Sequence, residues 1–167
     1  AVYVNSQSGN STFTMTGGEI HSCFSTGTYN NSTLTNHGHG GAVCLMGGEV
    51  NMEGGKIWNN YSENGDGGAV YISNGNFSMT HSSPTITDNY PTITANAAHK
   101  GNGGGVFVSS ENGKSVKVDL LQGIITNNTA NNYGGGICVD MGNTNNSANV
   151  TVGADGQGVT ESNANPK

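Results

Sequence analysis

Large apolar residues recur two positions apart in short runs along this chain, as in Val43 and Leu45, Val50 and Met52, Val70 and Ile72, or Phe77 and Met79. The residues between them are mostly polar or small. That is the period of a strand with one buried face. No window carries a helical stripe. The runs are grouped, and the clearest group opens at Gly103-Gly104-Gly105 and continues through Val106-Phe107-Val108. It turns at Glu111-Asn112-Gly113, runs through Val116-Lys117-Val118, and closes on Ile124-Ile125-Thr126-Asn127-Asn128 before restarting at Gly134-Gly135-Gly136. Three short strands entered through a doubled glycine make one lap of a triangular coil, and repetition at this scale decides the fold.

The pattern predicts an all-β chain, a right-handed parallel β-helix: a three-sheet solenoid of about five laps forming a single domain over residues 1–167. Each strand then pairs with its equivalent one lap on, piling inward side chains in rows roughly 4.8 Å apart. The right-handed turn is the default for parallel connections, and a doubly wound sheet would need helical crossovers. Third strands are expected around Ile20, Ile57, Ile86, Ile125 and Val159, with Ile57, Ile86 and Ile125 stacked in the interior. Asn60, Asn89 and Asn128 each follow such an aliphatic by three residues, and Cys23 and Ser162 take the same place in the end laps. Stacked Asn amides would bond the turns above and below and tolerate a left-handed backbone. Since Ala1-Val2-Tyr3-Val4 matches the strand after the double glycine in later laps, the chain is expected to begin mid-repeat, as a piece of something longer.

Loop lengths suggest where a ligand would sit. The turn between second and third strands reads as short throughout, whereas the stretch before each double glycine varies: residues 25–39 and 90–102 are long, 61–66 and 129–133 short. In repeat proteins, insertions on one edge often carry the binding function. The two long loops would flank a shallow cleft floored by the short one, gathering Tyr29, His37, His39, Asp66, Tyr90, His99 and Lys100. A tyrosine ring stacks on a sugar face and bonds its hydroxyls, and Asp66 with Lys100 would fix orientation. A second candidate is the outward row of the first strands, where Tyr3, Tyr71 and Phe107 alternate with Cys44 and Cys138. Those rings form either a platform for a partner or plain cross-strand packing.

Composition narrows the partners. Charged residues make up only 10% of the chain, the formal net charge is −6, and all five basic residues are lysines. This argues against nucleic acid, which needs a dense basic footprint, and against an anionic membrane surface. No apolar run approaches a membrane-spanning helix, so no membrane insertion of this segment is expected. The 28 glycines carry a period and therefore read as turn residues. Cys44 and Cys138 fall three laps apart and Cys23 falls in another sheet, beyond disulfide reach, so three free thiols are expected. No catalytic residue, cofactor or metal site is expected. Asp88 and Asp119 belong to different sheets, and Glu19, Glu49 and Glu53 fall on turns or outer faces, which gives no facing carboxylate pair. Asn64-Gly65-Asp66-Gly67 and Gly153-Ala154-Asp155-Gly156 are turn sequences before they are calcium loops.

Gly40-Gly41-Ala42-Val43 and Gly67-Gly68-Ala69-Val70 resemble the Gly-Gly-Ala-Ile/Leu/Val repeat of bacterial polymorphic outer-membrane proteins. That family pairs the motif with Phe-x-x-Asn, where this chain has Ile57-x-x-Asn60, Ile86-x-x-Asn89 and Ile125-x-x-Asn128. Nearly the whole chain resembles the parallel β-helix repeats of large bacterial surface proteins, adhesins among them, an architecture shared with pectin-lyase-like enzymes. The resemblance implies a non-catalytic extracellular segment on a bacterial cell surface, an adhesin or a structural stalk, whose partner is a host or bacterial surface glycan or protein. The same architecture implies, as the alternative, a carbohydrate-active enzyme or a glycan-binding module. Lyases of this fold use an Arg or Lys base, often beside carboxylate-bound calcium; this chain has no Arg, and its lysines do not cluster with acids. Thr12-Phe13-Thr14 begins the kind of threonine row seen in ice-binding β-helices, but Asn51, Glu53, Lys117 and Asp119 are expected to interrupt it.

Overall fold

A computed structural model of the chain describes residues 1–6, 11–30, 33–36, 38–81, 91–110, 114–142, 146–153 and 159–164, giving the backbone alone for 28–30, 33–36 and 159–164. The repeated strands form three parallel sheets, each built by stacking one strand per lap. The first sheet comprises Val2–Val4, Val43–Leu45, Val70–Ile72, Val106–Ser109 and Ile137–Asp140. The second comprises Thr12–Met15, Glu49–Met52, Gly75–Met79, Ser115–Leu120 and Ser147–Val152. The third opens with Glu19–His21, Lys56–Trp58 and Thr92–Thr94, followed by Gly123–Ala130 and Val159–Ala164. A hairpin in lap one pairs Thr28–Asn30 with Thr33–Asn36 antiparallel.

Period-two alternation explains the interior. Inward positions stack in register as Val4, Leu45, Ile72 and Val108 in the first sheet and as Phe13, Val50, Phe77 and Val118 in the second. Leu45, Ile72, Phe77, Met79 and Leu120 are among the side chains removed from water. Each buried aliphatic contributes about 1.5–3 kcal/mol against its exposed state.

Three expectations of register are corrected. The third-strand row is Ile20, Ile57, Ile93 and Ile125, not Ile86. The chain carries Thr-Ile-Thr-x-Asn twice in succession, once ending at Asn89 and once at Asn96. Only the second copy leaves the same length of chain before the paired glycines as Asn60 does, and so returns the next strand in register. Ile86, Asp88 and Asn89 lie outside the described residues. The insertion of lap three therefore falls between its second and third strands, after Met79, and residues 90–102 are no loop, since they hold Thr92–Thr94 and Ala97–Ala98. In lap five Val159 pairs with Gly123, Glu161 takes the place opposite Ile125, and Ser162 pairs with Thr126. The last strand thus departs from the aliphatic pattern. In the second sheet Thr12 and Thr14 pair with Glu49 and Asn51, which still interrupts any threonine row.

The third sheet also continues further than three strands per lap require. Beyond a bend, Phe24–Ser25, Tyr61–Ser62, Ala97–Ala98 and the second half of Gly123–Ala130 pair as another parallel run. One left-handed residue makes each bend: Ser22, Asn59, Ala95 and Asn127 have φ of 55°, 55°, 54° and 55°. The next residue is Cys23, Asn60, Asn96 or Asn128. The Asn60 backbone N–H donates to Asn96 Oδ1 at 3.0 Å, and the Asn96 N–H to Asn128 Oδ1 at 3.0 Å. Asn96 Nδ2 donates to Ile57 O at 3.2 Å, Thr94 O at 2.9 Å and Asn128 Oδ1 at 2.9 Å. Asn60, Asn96 and Asn128 are buried, so this ladder satisfies amides that water cannot reach. Cys23 closes the row, its N–H donating to Asn60 Oδ1 at 3.0 Å.

All three thiols are free. Cys44 and Cys138 share the outward row of the first sheet with Tyr71 and Phe107 between them, and burial pushes both thiols up to about 11.

Truncating Ile93 to Ala should cost about 2–5 kcal/mol in denaturant unfolding, the range for a buried aliphatic; a loss under about 0.5 kcal/mol would place Ile93 outside the core. Asn96→Ala leaves the buried Asn60 N–H without its acceptor, and a loss of at least about 1–3 kcal/mol is expected in the same measurement.

Candidate functional site

Past the Asn bend each lap returns to its paired glycines along one edge, and four of the seven expected cleft residues meet there. His39 and Asp66 each precede the glycine pair of their lap. The Asp66 backbone N–H donates to His39 Nδ1 at 3.0 Å, and Asp66 Oδ2 lies 3.8 Å from the same nitrogen. Asp66 Oδ1 accepts from the Asn102 backbone N–H at 2.7 Å and from Asn102 Nδ2 at 2.9 Å. Farther back along the edge, His99 Nδ1–H donates to Glu63 Oε2 at 2.7 Å. Lys100 Nζ donates to Asn64 Oδ1 at 2.8 Å and lies 3.9 Å from Glu63 Oε1. Each contact joins one lap to the next.

Tyr29 lies in the lap-one hairpin, where only the backbone is described, and His37 and Tyr90 lie outside the described residues. Tyr90 precedes Pro91, which leads into the third strand, so in chain order it belongs to the lap-three insertion between sheets two and three. The cleft between two long loops of this edge is therefore not formed as expected, because only lap one has a long insertion there.

The outward rings are arranged in columns. Phe24 stacks on Tyr61 with centroids 5.3 Å apart, and Tyr61 on His99 at 4.7 Å. His21 stacks on Trp58 at 4.9 Å, while Trp58 Nε1–H donates to Glu19 Oε2 at 3.0 Å and Lys56 Nζ sits 5.1 Å from the indole centroid. On the first sheet His39 stacks on Tyr71 at 4.1 Å and Tyr71 on Phe107 at 5.6 Å. Interplanar angles stay between 8° and 23° throughout. Rings one lap apart thus stack face to face, closing Tyr71 and Phe107 from water while Phe24 at the end of its column stays exposed. The expected outer platform is largely closed: Tyr71 is 3% exposed and Phe107 5%, whereas Tyr3 is 65% exposed.

Trp58, Phe24, Tyr61 and Glu63 belong to these cross-lap contacts and were not singled out from the sequence. Trp58 and Tyr61 flank Ile57 and Asn60 as outward positions, and only the contacts of Tyr61 and Glu63 with His99 depended on the corrected register of lap three.

The His99 hydrogen bond, aided by the charges of His99 and Lys100 and opposed by some desolvation, holds the Glu63 carboxyl below its ordinary value of 4.5. Among the described residues no cluster of three or more His, Cys, Asp or Glu side chains is placed to hold a metal ion, and no helix is long and apolar enough to cross a membrane. No family model, curated protein or solved structure matches the chain. The fold and the local geometry are therefore the ground for a functional reading.

A depressed carboxylate pKa means that the pair's contribution is present above pH 4.5 and is lost as pH falls through the lower folded value. His99→Ala should return the Glu63 carboxyl toward 4.5, read by NMR titration of the side-chain carbon. An unmoved midpoint would show that His99 does not hold it.

Proposed function

We propose that this chain is a non-catalytic extracellular segment of a bacterial surface protein, working as an adhesin or a structural stalk. The observation that carries the reading is the edge just described, where Asp66, Glu63, His39, His99 and Lys100 bridge successive laps. Carboxylates engaged in this way act as struts between laps, which suits a stiff rod that presents surface at a distance from its anchor. Side chains positioned for acid–base work would instead face one open space together. The glycine-pair motifs at Gly40 and Gly67, with their likeness to surface-protein repeats, supply the bacterial and extracellular part of the reading.

Incubating the chain with pectins, mucin glycans and matrix proteins tests it. Saturable binding without bond cleavage supports the adhesin, and absence of both supports the stalk. Release of new reducing ends or of unsaturated sugars would overturn the reading in favour of a carbohydrate-active enzyme.

A further inference from the structure

A row of hydrogen-bond acceptors runs along the edge that precedes the paired glycines. His39, Asp66 and Asn102 stand just before Gly40-Gly41, Gly67-Gly68 and Gly103-Gly104. At each junction the side chain of one lap accepts the backbone N–H of the equivalent residue in the next. His39 Nδ1 accepts from Asp66 at 3.0 Å, and Asp66 Oδ1 accepts from Asn102 at 2.7 Å. The two acceptors differ in one property. A carboxylate ordinarily keeps its charge and lone pairs down to about pH 4. An imidazole ordinarily takes a second proton near about pH 6.5, and both its nitrogens are then donors. The bond to the Asp66 N–H is therefore made by the neutral His39 ring alone, with its hydrogen on Nε2.

His99 on the same edge supplies the contrast. Its Nδ1–H donates to Glu63 Oε2 at 2.7 Å. That bond survives when Nε2 also takes a proton, and it gains a charge. Of these two imidazoles, it is His39 that loses its lap-to-lap bond in mild acid.

The place of His39 gives the loss a consequence. It closes the lap-one insertion, whose hairpin pairs Thr28–Asn30 with Thr33–Asn36. Both legs of the hairpin are tied to lap two at the base. On the entering leg Ser25 O accepts from the Glu63 N–H at 2.8 Å, and Thr26 O from Asn64 Nδ2 at 2.6 Å. On the returning leg Gly38 O accepts from Ser62 Oγ at 3.0 Å and from Ser25 Oγ, and the next residue is His39. The legs touch here, since a Cβ on Gly38 would stand 2.2 Å from Gly27 N. Hydroxyl, amide and peptide groups do not titrate near neutrality, so His39 is the proton-sensitive member of this set.

We propose that His39 is a proton-sensitive clamp, which when neutral holds the returning leg of the lap-one hairpin to lap two and when protonated lets that leg loosen. The titratable groups that the described residues place against the ring are the Asp66 carboxyl and the Tyr71 phenol, stacked at 4.1 Å; His37, two positions earlier, lies outside the described residues. The Asp66 carboxylate is the counter-attraction, but it does not replace the lost bond. Its Oδ2 is 3.8 Å from Nδ1, beyond hydrogen-bond reach. Its Oδ1 is already held by the N–H and Nδ2 of Asn102. The two side chains are 26% and 21% exposed, so water screens the pair. The Asp66 N–H, meanwhile, is left facing a donor.

The clamp operates whether the chain is an adhesin or a stalk, and its test uses the chain alone. The ¹⁵N-labelled protein is taken from about pH 8 to about pH 5, across the imidazole range, and followed by NMR. At the upper pH the ring nitrogens should report the Nε2–H tautomer for His39 and the Nδ1–H tautomer for His99. On acidification the Asp66 amide should lose about tenfold in exchange protection, corrected for the intrinsic rate, with the midpoint of the His39 ring. The backbone amides of Thr28–Asn30 and Thr33–Asn36 should shift with it. His39→Asn supplies Oδ1 in place of Nδ1, as Asn102 does in lap three, and should keep the Asp66 amide protected at both ends of the titration. His39→Ala should leave it unprotected at both, and His99→Ala should preserve the response of the parent. The proposal fails if His39 carries its hydrogen on Nδ1 at the upper pH, if the Asp66 amide stays protected at the lower one, or if the response persists in His39→Asn. Protection that rises in acid would also overturn it, because the ion pair with Asp66 would then have replaced the bond. Tautomer and protection are both read on the parent chain, so a variant that folds poorly leaves the test intact.

Discussion

A coil of parallel strands must turn corners inside its own wall, and each corner buries backbone amides that no neighbouring strand can satisfy. The bend after the third strand is the hardest of these, because the sheet resumes directly beyond it. One left-handed residue followed by a buried Asn answers the problem in laps two, three and four. The Asn side chain accepts from the backbone of the lap before and donates to carbonyls of its own lap or of that neighbour. Its geometry exists only when the laps are stacked in register, so the ladder is both a consequence of the coil and the device that fixes its pitch. Ala95 shows how strong the constraint is. An alanine at φ 54° carries a penalty of about 1–2 kcal/mol, and it is held there because Asn96 has partners on both sides.

The same logic governs the polar edge and the ring columns. A solenoid repeat touches only its neighbours, so stability is a sum of lap energies and lap-to-lap contacts. Exposed ion pairs add little individually, and stacked rings add about 0.5–1.5 kcal/mol beyond their buried area. Placed one lap apart, however, every such contact acts on the same coordinate, the sliding or separation of adjacent laps. His99 is held between the Glu63 carboxylate and the Tyr61 ring, while His39, stacked on Tyr71, accepts from the Asp66 backbone N–H instead, so two imidazoles tie laps together through different partners. Function for these residues has to be argued against that mechanical role.

Strand type, sheet number and the inward rows of the first two sheets were legible in the sequence, because alternation of Val, Leu, Ile, Phe and Met states which face is buried. The thiols were legible too, since row and lap separation alone keep Cys44 and Cys138 apart. The third strand of lap three was not. Thr-Ile-Thr-Asp-Asn and Thr-Ile-Thr-Ala-Asn fit the local pattern equally well, and local propensity even favours the first, where Asp rather than Ala would take the left-handed place. The choice was made by closure: the chain after the Asn has to reach the next glycine pair in register. That single slip moved the lap-three insertion to a different corner and made residues 90–102 look like a loop, and the expected cleft with it.

Turn length remains the right clue to a site in such a coil, once it is read at the right corner. A site needs concavity and polar groups with capacity to spare. The edge before the glycine pairs has many polar side chains, but they are joined lap to lap, so a ligand would have to displace bonds already made. At the corner between the first two sheets Gly48 and Gly75 leave no room for a side chain, and the Asn74, Asn76 and Glu49 side chains beside them have no partner among the described residues. Exchanging water for a ligand is cheaper there than exchanging one protein bond for another, because those three side chains give up no partner among the described residues. The physical difference between the two regions is therefore whether a polar group is already in use, and it favours the corner over the edge.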